Sequence, residues 1–231
     1  MKLTVEQLAR MLDLSAVRAD VDLAEVHRLA EAARQYHCVA AFVLPCHLPA
    51  LRALLADAPD VGVGGVVGFP SGAHSTAIKV AEAREQLTAG AGELDMVINV
   101  GMLRSGRDAY VANDIRAVVE VAGSVPVKVI LEAHHLNDSE IVRGSQLAVR
   151  SGAAFVKTGT GWAPTGATLH NVRLIKSAVG NAAQVKAAGG VRDLQTVVEL
   201  MRSGATRFGV GLTSGLQILA ECAAHNDGVE V

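Results

Sequence analysis

Short apolar runs return along the chain about every thirty residues, the size of one βα unit. They are Val39 to Leu44, Val61 to Gly68, Leu94 to Ile98, Val127 to Leu131, Ala154 to Lys157, Gln184 to Ala187 and Thr206 to Val210. Between them apolar residues recur every three or four positions, as in Val111, Ile115, Val118 and Ala122, or Leu194, Val197, Val198 and Met201. That spacing predicts helices that each turn one stripe toward a sheet. A stretch at Leu12 to Leu14, after a helical segment at Thr4 to Arg10, supplies an eighth strand. Strands alternating with helices build a parallel sheet, and eight such units close into a (β/α)8 TIM barrel.

The repetition extends to the residues themselves. TAGAGELDMVI, RSGAAFVKTG and RSGATRFGVG each stop a helix at Gly90, Gly152 or Gly204 and then enter a strand. Five residues on from each glycine lie Asp95, Lys157 and Gly209, which places all three near the carboxyl ends of their strands, where barrel active sites sit. The competing α/β fold, a doubly wound open sheet, calls for a glycine-rich turn after its first strand, and Cys46 to Pro49 offers none. The expectation is one barrel domain over residues 1–231.

Composition narrows the picture. Half of the 231 residues are hydrophobic but only 3% are aromatic, so the core must be built from Val, Leu, Ile and Ala. A formal charge of -2 provides no field for nucleic acid or for an anionic membrane, which leaves small molecules as the expected partners. Cys38, Cys46 and Cys222 form neither a disulfide framework nor a zinc pattern. Glu6 and Arg10 interrupt the stretch a signal peptide would need to keep apolar, and no run is long enough to span a membrane, so a cytoplasmic protein is expected.

Chemistry enters with three lysines inside apolar strands, Lys128, Lys157 and Lys186. An ammonium there must be paired or neutral. Each taken alone fits an internal ion pair with Asp95 or Glu132 as well as it fits a catalytic role. Together they point to more, because a buried lysine beside a second cation gives up its proton more readily, and the neutral amine attacks carbonyls. Lys128 and Glu132, two strand periods apart, are expected on one face, forming a charge network around Asp95 or a structural pair.

The segments GFPSGAHSTAIKVAEAREQLTAGAGELDMVINVG, KVILEAHHL, FVKTGTGW and QVKAAGGVRD closely resemble successive blocks of the deoxyribose-phosphate aldolase family, and the likeness runs from about Leu12 to Gly215. The resemblance implies Lys157 as a Schiff-base nucleophile, Lys186 as the neighbour that eases its deprotonation, and Asp95 as a proton carrier. It implies reversible cleavage of 2-deoxy-D-ribose 5-phosphate to D-glyceraldehyde 3-phosphate and acetaldehyde, with no cofactor or metal. Asp13 and Thr160 match polar positions of the family's site. The substrate phosphate is expected on Gly189, Gly190, Val191 and Arg192, at the start of a helix at Asp193, with Gly209 and Gly211 adding amides. Partners are then a sugar phosphate and aldehydes, and a homodimer is the assembly considered.

The chain also departs from the family pattern. After Phe208 relatives usually read Gly-Thr-Ser-Ser or Gly-Ala-Ser-Ser, whereas here Thr213 and Ser214 come later, in a Gly209-to-Gly215 segment expected to be a loop. Gly159 stands where a serine is usual, and Trp162 where relatives vary between aromatic and cationic residues. These differences keep open a second Schiff-base aldolase reading, with a non-phosphorylated acceptor; a non-catalytic ligand-binding relative is the third. His134 and His135 after Glu132 suggest a metal site, but adjacent strand residues point to opposite sides and no third ligand is spaced for it. His74 and His170 receive no role.

Overall fold

Eight runs of small and branched apolar residues form the strands of one closed, all-parallel barrel in the computed structural model, which describes residues 2–225 and 228–231. In chain order they are β1 (Leu12–Ala16), β2 (Ala40–Val43), β3 (Gly62–Val67), β4 (Glu93–Val97), β5 (Val127–Ile130), β6 (Phe155–Lys157), β7 (Gln184–Ala188) and β8 (Arg207–Gly211). Each strand pairs with the next, and β8 returns to β1 with Phe208 opposite Leu12 and Gly209 opposite Asp13. The expected strands are therefore all present, displaced by a residue or two at their ends.

Helices α1 (Val5–Ala9), α2 (Leu23–Gln35), α3 (Leu48–Leu54), α4 (Thr76–Thr88), α5 (Val100–Arg104), α6 (Asp108–Ala122), α7 (Asp138–Arg150), α8 (Leu169–Val179), α9 (Leu194–Arg202) and α10 (Leu212–Ala223) accompany them. Helix starts follow the sequence locally: Asp22, Asn137, Thr168 and Asp193 each accept a hydrogen bond from the backbone N–H three residues on. Gly90, Gly152 and Gly204 stand just beyond α4, α7 and α9 with φ of 95°, 90° and 106°, a region open to glycine at little strain. Val111, Ile115, Val118 and Ala122 of α6 are buried as the spacing predicts.

The large apolar core lies between strands and helices and includes Leu12, Leu14, Leu94, Met96, Val129, Val156, Val185 and Phe208. Alternate residues of those strands face the axis, where Ala40, Phe42 and Val66 form a small apolar cluster. The Phe42 ring occupies the space beside Gly64, where a Cβ would lie 2.2 Å from it. Charged side chains share the axis with it.

Outside the barrel, Lys79 of α4 and Asp114 of α6 form a fully buried pair at 2.6 Å. Lys79 also donates to the Val97 carbonyl at 2.9 Å, tying both helices to the end of β4.

Candidate active site

Charged side chains reach the axis from six of the eight strands. Glu93 and Asp95 stand two apart on β4 and share a side. Across from them come Asp13 (β1), Lys128 (β5), Lys157 (β6), Lys186 (β7) and Arg207 (β8). Lys157 Nζ and Lys186 Nζ both donate to Asp95 Oδ2, at 2.7 and 2.6 Å. Lys186 also reaches Asp13 Oδ2 at 2.5 Å. Lys128 lies 2.5 Å from Glu93, 3.3 Å from Asp95 and 3.6 Å from Asp13. Arg207 closes the ring with contacts of 2.6 Å to Asp13 and 2.7 Å to Glu93. The Lys128 and Lys186 ammoniums sit 4.4 and 4.2 Å from the centre of the Phe42 ring.

Four bases thus meet three acids, with Asp13, Asp95, Lys128 and Lys186 fully buried, and an uncompensated buried charge costs several kcal/mol. The network balances when one base is neutral. Burial favours the neutral form of Asp95, but Lys128, Lys157 and Lys186 outweigh it and hold that carboxyl well below the usual carboxylate range. Asp13 is likewise lowered: burial is opposed by Lys186, Lys128 and Arg207. The lysines divide by their surroundings. Against burial, Lys128 has Asp95, Asp13 and Glu93, and its pKa is raised. Lys186 is fully buried with only Asp13 and Asp95 to offset that burial and with repulsion from Lys157 and Lys128, which brings it down to about 8.

Lys157 ends β6 and opens onto a cavity of about 210 Å³ at the carboxyl ends of the strands. Every residue expected at the site lines this cavity: Asp13, Asp95, Lys157, Thr160, Lys186, Gly189, Gly190, Val191, Arg192, Gly209 and Gly211. Lys157 alone of the three repeat positions is a strand's last residue; Asp95 and Gly209 are the third of five in β4 and β8.

Three expectations need correction. Lys128 and Glu132 do not share a face, because β5 stops at Ile130 and Glu132 turns into the left-handed region at φ 52°. The Glu132 carboxylate instead accepts hydrogen bonds from the Thr160 hydroxyl and, at 3.2 Å, from its N–H, shaping the turn after Lys157. The Gly209-to-Gly215 segment is not a loop: β8 runs through Gly211 and α10 begins at Leu212. Nor is the start of α9 open for an anion, since Leu194 N donates to Glu221 and Thr196 N to Asp193, both at 2.7 Å.

The start of α10 differs. Gly211 caps it without a side-chain acceptor, and Ser214 in its first turn lines the cavity. Facing it, Gly189 and Gly190 have φ of 89° and 97°. These segments form an end of the cavity rich in main-chain donors.

Sequence reasoning passed over Glu93, Arg207 and Phe42. The first two are the opening residues of their strands, and a charge at a strand boundary is ordinarily solvated; the available signal for Glu93 was its spacing of two from Asp95. His134 bonds Thr165 at 2.8 Å and His170 bonds Asp138 at 2.9 Å. Among the described residues no group of three or more His, Cys, Asp or Glu side chains is arranged to hold a metal ion.

Comparison with known proteins gives consistent matches. Residues 5–221 match the model of the DeoC/LacD family of aldolases. Deoxyribose-phosphate aldolase of Sinorhizobium medicae is 49% identical over 222 residues, 96% of this chain and 90% of that protein. That of Klebsiella pneumoniae is 46% identical over 224 residues, with the same two coverages. Among solved structures, the deoxyribose phosphate aldolase of Aeropyrum pernix, described as a tetramer, superposes with a TM-score of 0.87 at 29% identity, covering 94% of this chain and 91% of that one.

Proposed function

Since the chain belongs to the DeoC/LacD family of aldolases, we propose that it reversibly cleaves 2-deoxy-D-ribose 5-phosphate to D-glyceraldehyde 3-phosphate and acetaldehyde, with Lys157 forming the Schiff base. The observation that carries this reading is the shared acceptor: Asp95 Oδ2 takes hydrogen bonds from both Lys157 and Lys186.

The neutral Lys157 amine adds to the C1 aldehyde of the open-chain sugar, and loss of water gives a protonated imine. Removal of the C3 hydroxyl proton lets the C2–C3 bond break; C3 becomes the aldehyde of glyceraldehyde 3-phosphate, and the bonding electrons enter the imine as an enamine. Protonation at C2 and hydrolysis then release acetaldehyde and restore the amine. Asp95, through a water, moves protons to and from the substrate oxygen. Its base strength follows the charge of its neighbours: while all three lysines are charged it holds no proton, and it becomes a better acceptor whenever Lys157 is neutral. Lys186, with its pKa near 8, returns a proton through the same oxygen.

At the other end of the cavity, Gly189, Gly190 and the uncapped start of α10 with Ser214 suit a phosphate dianion. Asp13 acts on the substrate indirectly, by holding Lys186 and Arg207. Thr160, committed to Glu132, shapes the wall.

Borohydride reduction in the presence of acetaldehyde, followed by peptide mapping, tests the mechanism. The label is expected on Lys157 and absent from Lys157→Ala. A label on another residue refutes the assignment.

A further inference from the structure

We propose that Arg18, held over the Trp162 ring at the cavity, is the cation that recognises the substrate's phosphate. The inference rests on the aldolase reading given above and concerns a residue outside the sequence motifs that carried it. Arg18 follows β1 and Trp162 follows β6, yet the guanidinium carbon lies 4.6 Å from the centre of the indole ring. Both residues line the same cavity as Lys157.

The ring is itself held in place. Trp162 Nε1 donates to the Val17 carbonyl at 2.9 Å, its backbone N–H donates to the Thr160 hydroxyl at 3.0 Å, and Phe69 after β3 meets it edge-on at 6.0 Å. Three loops therefore converge on one indole, which fixes the ring over which the guanidinium carbon sits.

A guanidinium held over an aromatic ring can keep its N–H donors free for a ligand. Among the described residues, the exposed Arg18 side chain has no hydrogen-bond acceptor and no carboxylate partner; the Trp162 ring is its cation–π partner. An arginine held over this ring, with its donors unpaired within the described chain, beside a cavity lined by the Gly189–Gly190 backbone and Ser214, suits a phosphate oxygen pair. Arg192 also lines the cavity, but no ring or hydrogen bond fixes it among the described residues, so it enters with more freedom to lose.

The test compares wild type with Arg18→Gln, Arg18→Lys and Trp162→Leu in cleavage of deoxyribose 5-phosphate and of deoxyribose. Loss of one charge-assisted pair predicts that Arg18→Gln raises KM for the phosphorylated sugar roughly ten- to a hundredfold, far more than for deoxyribose, while kcat changes little. Arg18→Lys keeps the charge without the flat fork and falls between. Trp162→Leu frees the arginine and shifts the same KM in the same direction. Competition by inorganic phosphate weakens in parallel.

Equal changes for the two sugars in Arg18→Gln, or undiminished competition by phosphate, would overturn the proposal. So would a wild type that cleaves both sugars equally well. Borohydride trapping on the same preparations separates the two failures. Lys157 labelling with unchanged phosphate selectivity removes only the role of Arg18, whereas no labelling in wild type removes the aldolase reading beneath it.

Discussion

Replacing Lys186 with methionine probes the ionic axis most directly. The substitution keeps the volume and removes the nitrogen that bonds Asp95 and Asp13. Burial lowers this ammonium from 10.5 to about 8, the two aspartates offsetting only part of the effect. At 1.36 kcal/mol per pKa unit, keeping Lys186 charged in the folded protein costs about 3 kcal/mol relative to the unfolded chain. The sign follows from proton counting. Between pH 8 and 10.5 the unfolded lysine is protonated and the folded one is not, so unfolding takes up a proton and stability from this group rises with pH.

Urea unfolding of wild type and Lys186→Met at intervals from about pH 7 to 10.5 therefore gives a difference, wild type minus variant, that rises by about 3 kcal/mol, beginning near pH 8. Other titrations largely cancel in that difference. The kcat/KM profile of wild type should contain an ionisation near pH 8 that the variant lacks, together with a steep loss of rate at neutral pH. A flat stability difference would mean that Lys186 titrates as an ordinary surface lysine and supplies no proton near neutrality, which removes its place beside Asp95.

Two further outcomes are expected. Asp114→Ala leaves Lys79 as an unpaired buried charge and should lower the unfolding free energy by about 3–5 kcal/mol, a loss that Lys79→Met combined with Asp114→Leu largely restores; a loss under 1 kcal/mol would show that water reaches the pair. Gly190→Val finds open space for its Cβ but must hold φ near 97°, so it should shift the backbone and raise KM for deoxyribose 5-phosphate more than for deoxyribose; equal increases would mean that Gly190 only shapes the barrel mouth.

Much of this was legible in the sequence, for reasons that differ by residue. The strands stood out because a parallel barrel buries both faces of each strand and demands runs such as those of β3 and β5. Lys157 and Lys186 stood out because an ammonium inside such a run has no ordinary explanation. Glu93 and Arg207 did not, since their partners come from strands far away in the chain, and local pattern is silent about contacts across an axis. The supposed face shared by Lys128 and Glu132 extended a period of two beyond the strand that enforces it. The segment after β8 was misjudged because glycines at 209, 211 and 215 resemble a break, while strand and helix in fact abut at Gly211 and Leu212. Trp162 and Val17, 145 residues apart, meet only through closure of the barrel.

The separation of an apolar layer outside the strands from an ionic axis inside them gives the molecule two different sensitivities. Heat and denaturant act mainly on the outer layer, whose cohesion is hydrophobic. Alkali acts on the axis, and it does so while the outer layer is intact. Salt reaches the axis poorly, because pairs this deeply enclosed are little screened. Mild acid also leaves the axis in place: Asp13 and Asp95 contribute stability above the ordinary carboxylate pKa and lose it only as pH falls through their lowered values. An enzyme built in this way can be silenced without being unfolded, and at high pH its loss of rate and its loss of structure would be separate, separately reversible events.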